Sequence, residues 1–230
     1  MFPYRGVLFD LFYTLINPLD PACMGENEYA VLGISRSDFE SRNMAGYEIW
    51  AGGGVRDPVE LVRRILADFD FPEERIRAAA HARLGRIRSS LFGVDAKNLR
   101  LLTKLREGGV KTALVSNADV IDTRYWQGSP LAACFDLAVF SCDTGILKPD
   151  PRIYRLALEG IGLPASACLY VGDGGHEELQ GAKEAGLSTA LTVEYIRNLW
   201  PERIPALSVR ADLVIHNLEE ILSLDTLTMA

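Results

Sequence analysis

Six short, almost uninterrupted apolar runs constrain this chain most: Val7–Phe9, Thr112–Val115, Leu137–Phe140, Leu169–Val171, Thr189–Val193 and Leu213–Ile215. A strand with one wet face alternates apolar and polar residues. Strands that read apolar at successive positions need cover on both faces, which is the environment of a parallel sheet flanked by helices. The intervening stretches supply those helices. Asp150-Pro151 puts a cap before a proline at the first helical position, and Ile153, Leu156, Ala157 and Ile161 follow at helical spacing. Gly160 is the expected stop of that helix. Glu177–Ala185 starts with two acids, as a helix N-terminus favours, and Gly186 closes it. Alternating strand and helix predicts a doubly wound α/β sheet.

The alternation breaks once. Between about Ile16 and Val94 no strand pattern occurs, only helical material. Asp57-Pro58-Val59-Glu60 reads as the cap and first turn of a helix reaching about Phe69. A second runs from about Pro72 to Leu91, with Ile76, Ala80, Leu84, Ile87 and Leu91 on one face. The expected organisation is a core of residues 1–15 and 94–230, interrupted by an all-helical insertion at 16–93. Gly52-Gly53-Gly54 is its obvious flexible spot.

Charge narrows the partners. The 230 residues carry 24 basic against 31 acidic side chains, a formal −7, with no block of Lys or Arg. Nucleic acid is not expected as a partner, because the electrostatic footprint is absent. No run approaches the roughly 20 apolar residues needed to cross a bilayer. The opening MFPYRG has no basic segment followed by an apolar one. Cys23, Cys134, Cys142 and Cys168 are scattered, without metal-ligand spacing. A soluble, cytoplasmic protein with reduced thiols and a small-molecule substrate is expected; oligomeric state is not legible.

Ligands of parallel α/β sheets bind beyond the carboxyl ends of the strands. There the sequence places Asp10 after the first run, Ser116 and Asn117 after the second, and Lys148 in the loop beyond the third. Gly172, Asp173, Gly174 and Gly175, then Glu177 and Glu178, follow the fourth. Singly, each suits a turn, a cap or a solvated surface. Together they put a carboxylate, a hydroxyl/amide pair, a cation and a second carboxylate at one sheet edge. An Asp can act as covalent nucleophile, and a Lys can keep it ionised and balance an anionic substrate. Ser and Asn can donate to substrate oxygens. Two carboxylates from different strand ends can share a hard cation such as Mg²⁺.

In these four places the chain resembles the haloacid dehalogenase superfamily of hydrolases. The stretch Asp10-Leu11-Phe12-Tyr13-Thr14-Leu15 is similar to its first motif, Ser116-Asn117 to the second, Lys148-Pro149-Asp150 to the third, and Gly172-Asp173 with a following acid to the fourth. Glu178 fits the spacing before Gly181-Ala182 better than Glu177. The resemblance implies a Rossmann-like core with the insertion as a mobile α-helical cap. It implies Asp10 as nucleophile, with Thr14, Ser116, Asn117 and Lys148 completing the catalytic set. Mg²⁺ would lie on Asp10, the backbone carbonyl of Phe12, Asp173 and Glu178. Tyr13, Arg42, Tyr154 and His176, with Ser116 and Asn117, would contact substrate.

One position departs from the pattern. Phosphatases of the superfamily carry a second Asp two residues after the nucleophile, as acid/base for the leaving group; here Phe12 stands there. The 2-haloacid dehalogenases also lack an acid at that position, since halide leaves without a proton. Tyr154 matches a position they use, and Arg42 could bind a substrate carboxylate. Asp173 followed by acids resembles the Mg²⁺-dependent phosphatases instead. The expected function is therefore Mg²⁺-dependent hydrolysis of a small phosphorylated metabolite. The alternatives are a 2-haloacid dehalogenase and a non-catalytic binding protein. Tyr13, His176 or a metal-ordered water would have to replace the missing acid, and an activated leaving group would lessen the need for one.

Overall fold

The structure, a computed structural model, describes residues 2–224. All six apolar runs are strands: β1 Gly6–Phe9, β2 Lys111–Ser116, β3 Leu137–Phe140, β4 Cys168–Gly172, β5 Ser188–Thr192 and β6 Leu213–Ile215. They form one parallel sheet in the order β3-β2-β1-β4-β5-β6. In the central strand Val7 lies beside Thr112 on one side and Leu169 on the other. Every side chain of β1 is buried, with Val7 and Phe9 in one apolar cluster and Leu8 in a second across the sheet. That division is the strand period of two, applied to a sheet covered on both faces.

Between β1 and β2 lie α1 Pro21–Met24, α2 Glu28–Leu32, α3 Arg36–Ala45, α4 Tyr47–Ala51, α5 Pro58–Ile65, α6 Glu73–Phe92 and α7 Ala96–Glu107. The described residues contain no strand in this stretch beyond the isolated bridge of Phe12 with Ile16. Asp57 caps α5 through a 2.8 Å bond from the Glu60 amide. This helix stops at Ile65, short of the expected Phe69. The long α6 carries the other helices of the insertion, and its Ile76, Ala80, Ile87 and Leu91 join one apolar cluster with Phe9 and Leu114 of the sheet. The expected face of α6 is rotated slightly. Arg83 is buried where Leu84 is only half-buried, because a buried acidic partner awaits the guanidinium.

The remaining helices are α8 Val120–Thr123, α9 Ser141–Thr144, α10 Pro151–Ile161, α11 Glu178–Glu184, α12 Ile196–Leu199 and α13 Ile204–Ser208. The α10 and α11 helices cover the Leu8 face of the sheet; α7 covers the other. Gly160 does not end α10. The helix continues to Ile161 and closes at Gly162, whose φ of 70° supplies the left-handed cap. Gly160 serves packing instead: a Cβ there would lie 2.3 Å from Cδ2 of Leu137, so its absence lets α10 lie close on β3. The expected start of α11 at Glu177 moves one residue, to Glu178, behind a single tight turn at Gly175–Glu177. No helix among the described residues is long and apolar enough to cross a membrane.

Candidate active site

From β1 the chain winds through β2 and β3 towards one edge of the sheet. From β4 it winds through β5 and β6 towards the other. Connections therefore leave β1 and β4 in opposite directions, and the crevice between their carboxyl ends is where such sheets bind ligands. Asp10 follows β1, its N–H donating to the carbonyl of Val171 at 2.9 Å. Asp173 follows β4. The non-glycine residues with positive φ among those described are Tyr13 (56°), His176 (49°) and Glu177 (53°), all in the loops after these two strands. Left-handed backbone is unfavourable for such residues and persists where surrounding contacts hold it.

Four buried groups interlock at this crevice. Lys148 Nζ donates to Asp10 Oδ1 at 2.5 Å, to Glu178 Oε2 at 2.5 Å and to the Tyr170 hydroxyl at 3.1 Å. The Tyr170 hydroxyl donates to Glu178 Oε2 at 2.6 Å, and the Gly174 N–H donates to Glu178 Oε1 at 2.9 Å. Thr14 Oγ1 donates to Asp10 Oδ2 at 3.3 Å. Asn117 fixes the lysine's backbone rather than its ammonium: its Oδ1 accepts from Lys148 N at 2.7 Å and its Nδ2 donates to Lys148 O at 3.0 Å. Glycine at 172 is what lets Glu178 in, since a Cβ there would sit 2.1 Å from Glu178 Oε1.

Ligand oxygens of Asp10, Asp173 and Glu178 all lie within 4.8 Å of one another. One ammonium faces these three carboxylates, so the fully ionised cluster carries excess negative charge in a buried place. Burial pushes the Asp10 carboxyl up to about 6; Lys148 pulls it down and Glu178 adds to the rise. Asp173 is raised well above its ordinary value, first by burial and then by the Glu178 and Asp10 charges. Lys148 is held firmly as an ammonium, because its two carboxylates outweigh the burial that opposes the charge. An oxygen-only, over-acidic cluster is the donor set of a hard divalent cation. The oxygens of Glu178 are already engaged by Lys148, Tyr170 and Gly174, whereas Asp173 receives one N–H, from Gly175 at 3.1 Å. Asp173 is thus the least engaged of the three, and Asp10, whose Oδ2 receives only the long bond from Thr14, comes next. These two could face a cation directly, with Glu178 behind them. Glu177, the alternative, is exposed and 3.5 Å from Arg210.

A cavity of about 370 Å³ opens above the cluster. Asp10, Phe12, Tyr13, Asn117, Lys148, Asp173, His176 and Glu178 line it. Three expected substrate contacts do not. Tyr154 is fully buried beneath the site, its hydroxyl donating to the Glu178 carbonyl at 2.7 Å and its ring edge-on to Tyr170. Its helical spacing made it a core residue. Arg42 stacks over Phe69, 4.3 Å from the ring centroid, and donates to the Asp38 carbonyl. Ser116 is fully buried at the end of β2, with its hydroxyl 3.4 Å from the Asn117 carbonyl.

Comparison with known proteins agrees with this architecture. Residues 4–186 match the haloacid dehalogenase-like hydrolase family. The chain belongs to that family. It is 31% identical over 161 residues to a phosphoserine phosphatase of Thermus thermophilus, covering 70% of this chain and 63% of that protein. The chain thus spans less than two thirds of the length of the curated relatives it first matches. L-2-haloacid dehalogenase from Xanthobacter autotrophicus, with chloropropionic acid covalently bound, superposes with a TM-score of 0.67 at 18% identity, over 95% of this chain and 96% of that one. A family enzyme from Bacteroides thetaiotaomicron, in complex with magnesium and inorganic phosphate, gives 0.58 at 21% identity over 82% and 94%. At these identities the structural likeness is one of fold.

Within this family member, the insertion and core are joined by charges that periodicity alone did not pick out. Arg83 of α6 donates to Asp119 Oδ2 at 2.6 Å and approaches Asp122 Oδ1 at 3.4 Å, with all three side chains buried. Asp119 and Asp122 form a capping box at the start of α8, directly beyond Ser116-Asn117. Arg86, one turn along α6, pairs with the buried Glu28 of α2. A visible signal was the D-x-x-D following Ser116-Asn117, and an arginine at the apolar spacing of α6. Burial and the Asp119 charge hold the Asp122 carboxyl up at about 7, against 3.8 ordinarily, despite Arg83. Between those values the native state keeps a proton that the unfolded chain has released, so this site loses stability as pH rises from about 4 to 7. Asp122→Asn removes that titration and leaves the position uncharged at every pH. Unfolding free energy of the wild type should fall relative to Asp122→Asn by about 1 kcal/mol per pH unit between about pH 5 and 7. Denaturant melts of both proteins across that range check it; parallel profiles would show that Asp122 is ionised throughout.

Proposed function

We propose that this protein is a phosphohydrolase that transfers the phosphoryl group of a small phosphorylated metabolite to Asp10, with Mg²⁺ at Asp10 and Asp173. The over-acidic cluster of Asp10, Asp173 and Glu178 around a single ammonium carries this reading. A departing halide would meet these carboxylates with one ammonium, whereas a hard divalent cation on them would seat phosphoryl oxygens.

The chain's own residues divide the work. Lys148 and Thr14 fix the Asp10 carboxylate from either oxygen, which sets its orientation for attack on phosphorus. Asn117 holds the Lys148 backbone, and Tyr170 and Glu178 hold its ammonium, so the cation stays in place when an anionic group arrives. Asp10, the Phe12 carbonyl and Asp173 would hold Mg²⁺, with Glu178 supporting. When bound, the metal supplies positive charge that binds phosphoryl oxygens and shields them from Asp10.

The second reading, 2-haloacid dehalogenase chemistry, is favoured by Phe12 in place of an acid. Phosphate release from a panel of phosphorylated metabolites, with Mg²⁺ and with a chelator, separates the two. Turnover should fall at least about 100-fold on chelation, a loss of several kcal/mol of charge stabilisation. Chelator-resistant halide release from 2-haloacids, without phosphate release from any ester, would replace the proposal with the second reading. Inertness to both panels would favour a binding protein.

A further inference from the structure

We infer that the site takes phosphate monoesters whose leaving group is an acidic aromatic hydroxyl, an aryl or heteroaryl alcohol rather than an alkyl one. The inference rests on the phosphohydrolase reading above and names its substrate class. Two independent features of the cavity converge on it.

The first is the chemistry around Asp10. Its carboxylate contacts are Thr14, which donates to Oδ2, and Lys148, whose ammonium is shared with Glu178 and Tyr170. Phe12, two positions on, lines the cavity and carries no acidic proton, and neither Tyr13 nor His176 of the same cavity is among the hydrogen-bond donors to the Asp10 carboxylate. An alkoxide leaving without a proton loses the 10²–10⁴-fold that general acid catalysis supplies. An aryloxide delocalises its charge into the ring and needs that proton far less.

The second feature is the wall. Phe12, Tyr13, Tyr29, Phe39, Tyr47 and Trp200 all line the same cavity of about 370 Å³. Tyr47, on the insertion, lies flat on His176 of the β4 loop, with ring centroids 4.5 Å apart and planes within 5°. Trp200 meets Tyr13 edge-on at 4.9 Å. These contacts set flat and edge-bearing surfaces over the nucleophile, and a planar ring is the group that packs best against both. Of the arginines at the cavity, Arg83 is paired with Asp119 and Asp122 and Arg86 with Glu28, while Arg203 lies against the Trp200 ring. Around Arg83 and Arg86 the cationic charge is thus already balanced by carboxylates, so these two arginines do not require a second negative charge on the leaving group.

The step balances without any further reactant. An Asp10 oxygen bonds to phosphorus as the phosphorus–aryl oxygen bond breaks, and the electron pair leaves with the aryloxide. Water then attacks the phosphorus of the aspartyl phosphate. The phosphorus–Asp10 bond breaks, its electrons return to the carboxylate, and the water's protons pass to phosphate and the aryloxide. Only the first of these steps depends on the leaving group. Hydrolysis of the intermediate, also lacking an acid/base at position 12, becomes limiting for a good leaving group, so the intermediate accumulates.

The test uses the wild-type enzyme with Mg²⁺ and two esters of similar bulk, 4-nitrophenyl phosphate and cyclohexylmethyl phosphate. The kcat/KM for the aryl ester should exceed that for the alkyl ester by about 10²–10⁴-fold, and nitrophenol should appear in a burst stoichiometric with enzyme. Phe12→Asp should narrow the aryl-to-alkyl ratio of kcat/KM by about 10²-fold or more, chiefly by raising the alkyl value. Phenol should inhibit competitively at least about tenfold more tightly than cyclohexanol. Equal kcat/KM for the two esters in the wild type overturns the inference and leaves the phosphohydrolase reading standing, whether or not Phe12→Asp folds. No preference for phenol overturns aromatic recognition. Absence of phosphate release from either ester and from the metabolite panel overturns the phosphohydrolase reading itself.

Discussion

Asp10→Asn should abolish turnover, lowering kcat by at least about 10⁴-fold, because an amide cannot form the acyl phosphate that divides the reaction into two easier steps. The substitution is nearly isosteric, and what it leaves behind is well supported. Lys148 keeps Glu178 and Tyr170 as partners and can still donate to the amide oxygen, while the amide NH2 can donate to the Thr14 hydroxyl oxygen. The backbone N–H of residue 10 still bonds to Val171. One negative charge is also removed from a cluster of three buried carboxylates. The fold should therefore persist, with unfolding free energy within about 1 kcal/mol of the wild type, the range of a modest, compensated hydrogen-bond change. Phosphate release and a denaturant melt on the same preparation check both halves. Wild-type turnover in the variant would remove Asp10 from the nucleophile's role. Loss of turnover together with collapse of the melt would show a structural role instead.

How far this site was legible in the sequence depends on the range of the forces involved. The strands were legible because a doubly covered strand must be apolar at successive positions, and each of the six runs occurs as a strand. The strand ends were legible with them, so Asp10, Lys148, Asp173 and Glu178 could be brought to one edge by topology alone. Glycines were harder. Gly160 has the look of a helix stop, yet it is conditioned by Leu137 on a neighbouring strand, and no local pattern carries that contact. Partnership between distant charges was hardest. Arg83 and Asp119 are 36 residues apart, and only the packing of α6 on α8 makes their pairing compulsory. Tyr170 reads as one more apolar position of β4. In the folded chain its hydroxyl ties Lys148 to Glu178 from below. Tyr154, which the resemblance to the dehalogenases places against substrate, is turned into the core by its helix.

Lys148→Ala should reduce stability as severely as activity, and this sets the lysine apart from Asp10. Its ammonium is buried, 2.5 Å from each of two buried carboxylates, with Asp173 close by. Removing one partner of a buried ion pair leaves uncompensated charge and costs about 3–5 kcal/mol. Here one cation serves two acids, so the upper part of that range is expected. The chain can recover part of the loss by taking up protons. Without the ammonium, Asp10 loses the interaction that opposes its upward shift, and it should titrate higher still. Over the interval between the unfolded and the raised native values, the folded variant holds protons that the unfolded chain has lost, so its stability falls as pH rises. Lys148→Ala should consequently lie closest to the wild type near pH 5 and furthest from it near pH 8. Denaturant melts at the two pH values measure the gap. A constant gap would mean that the carboxylates stay ionised without their cation, held by solvent that reaches them through the cavity. Turnover should be lost at both pH values by at least about 10³-fold, since the residue that orients Asp10 and offsets the phosphoryl charge is gone. Stability regained at low pH without activity would separate the lysine's structural role from its catalytic one.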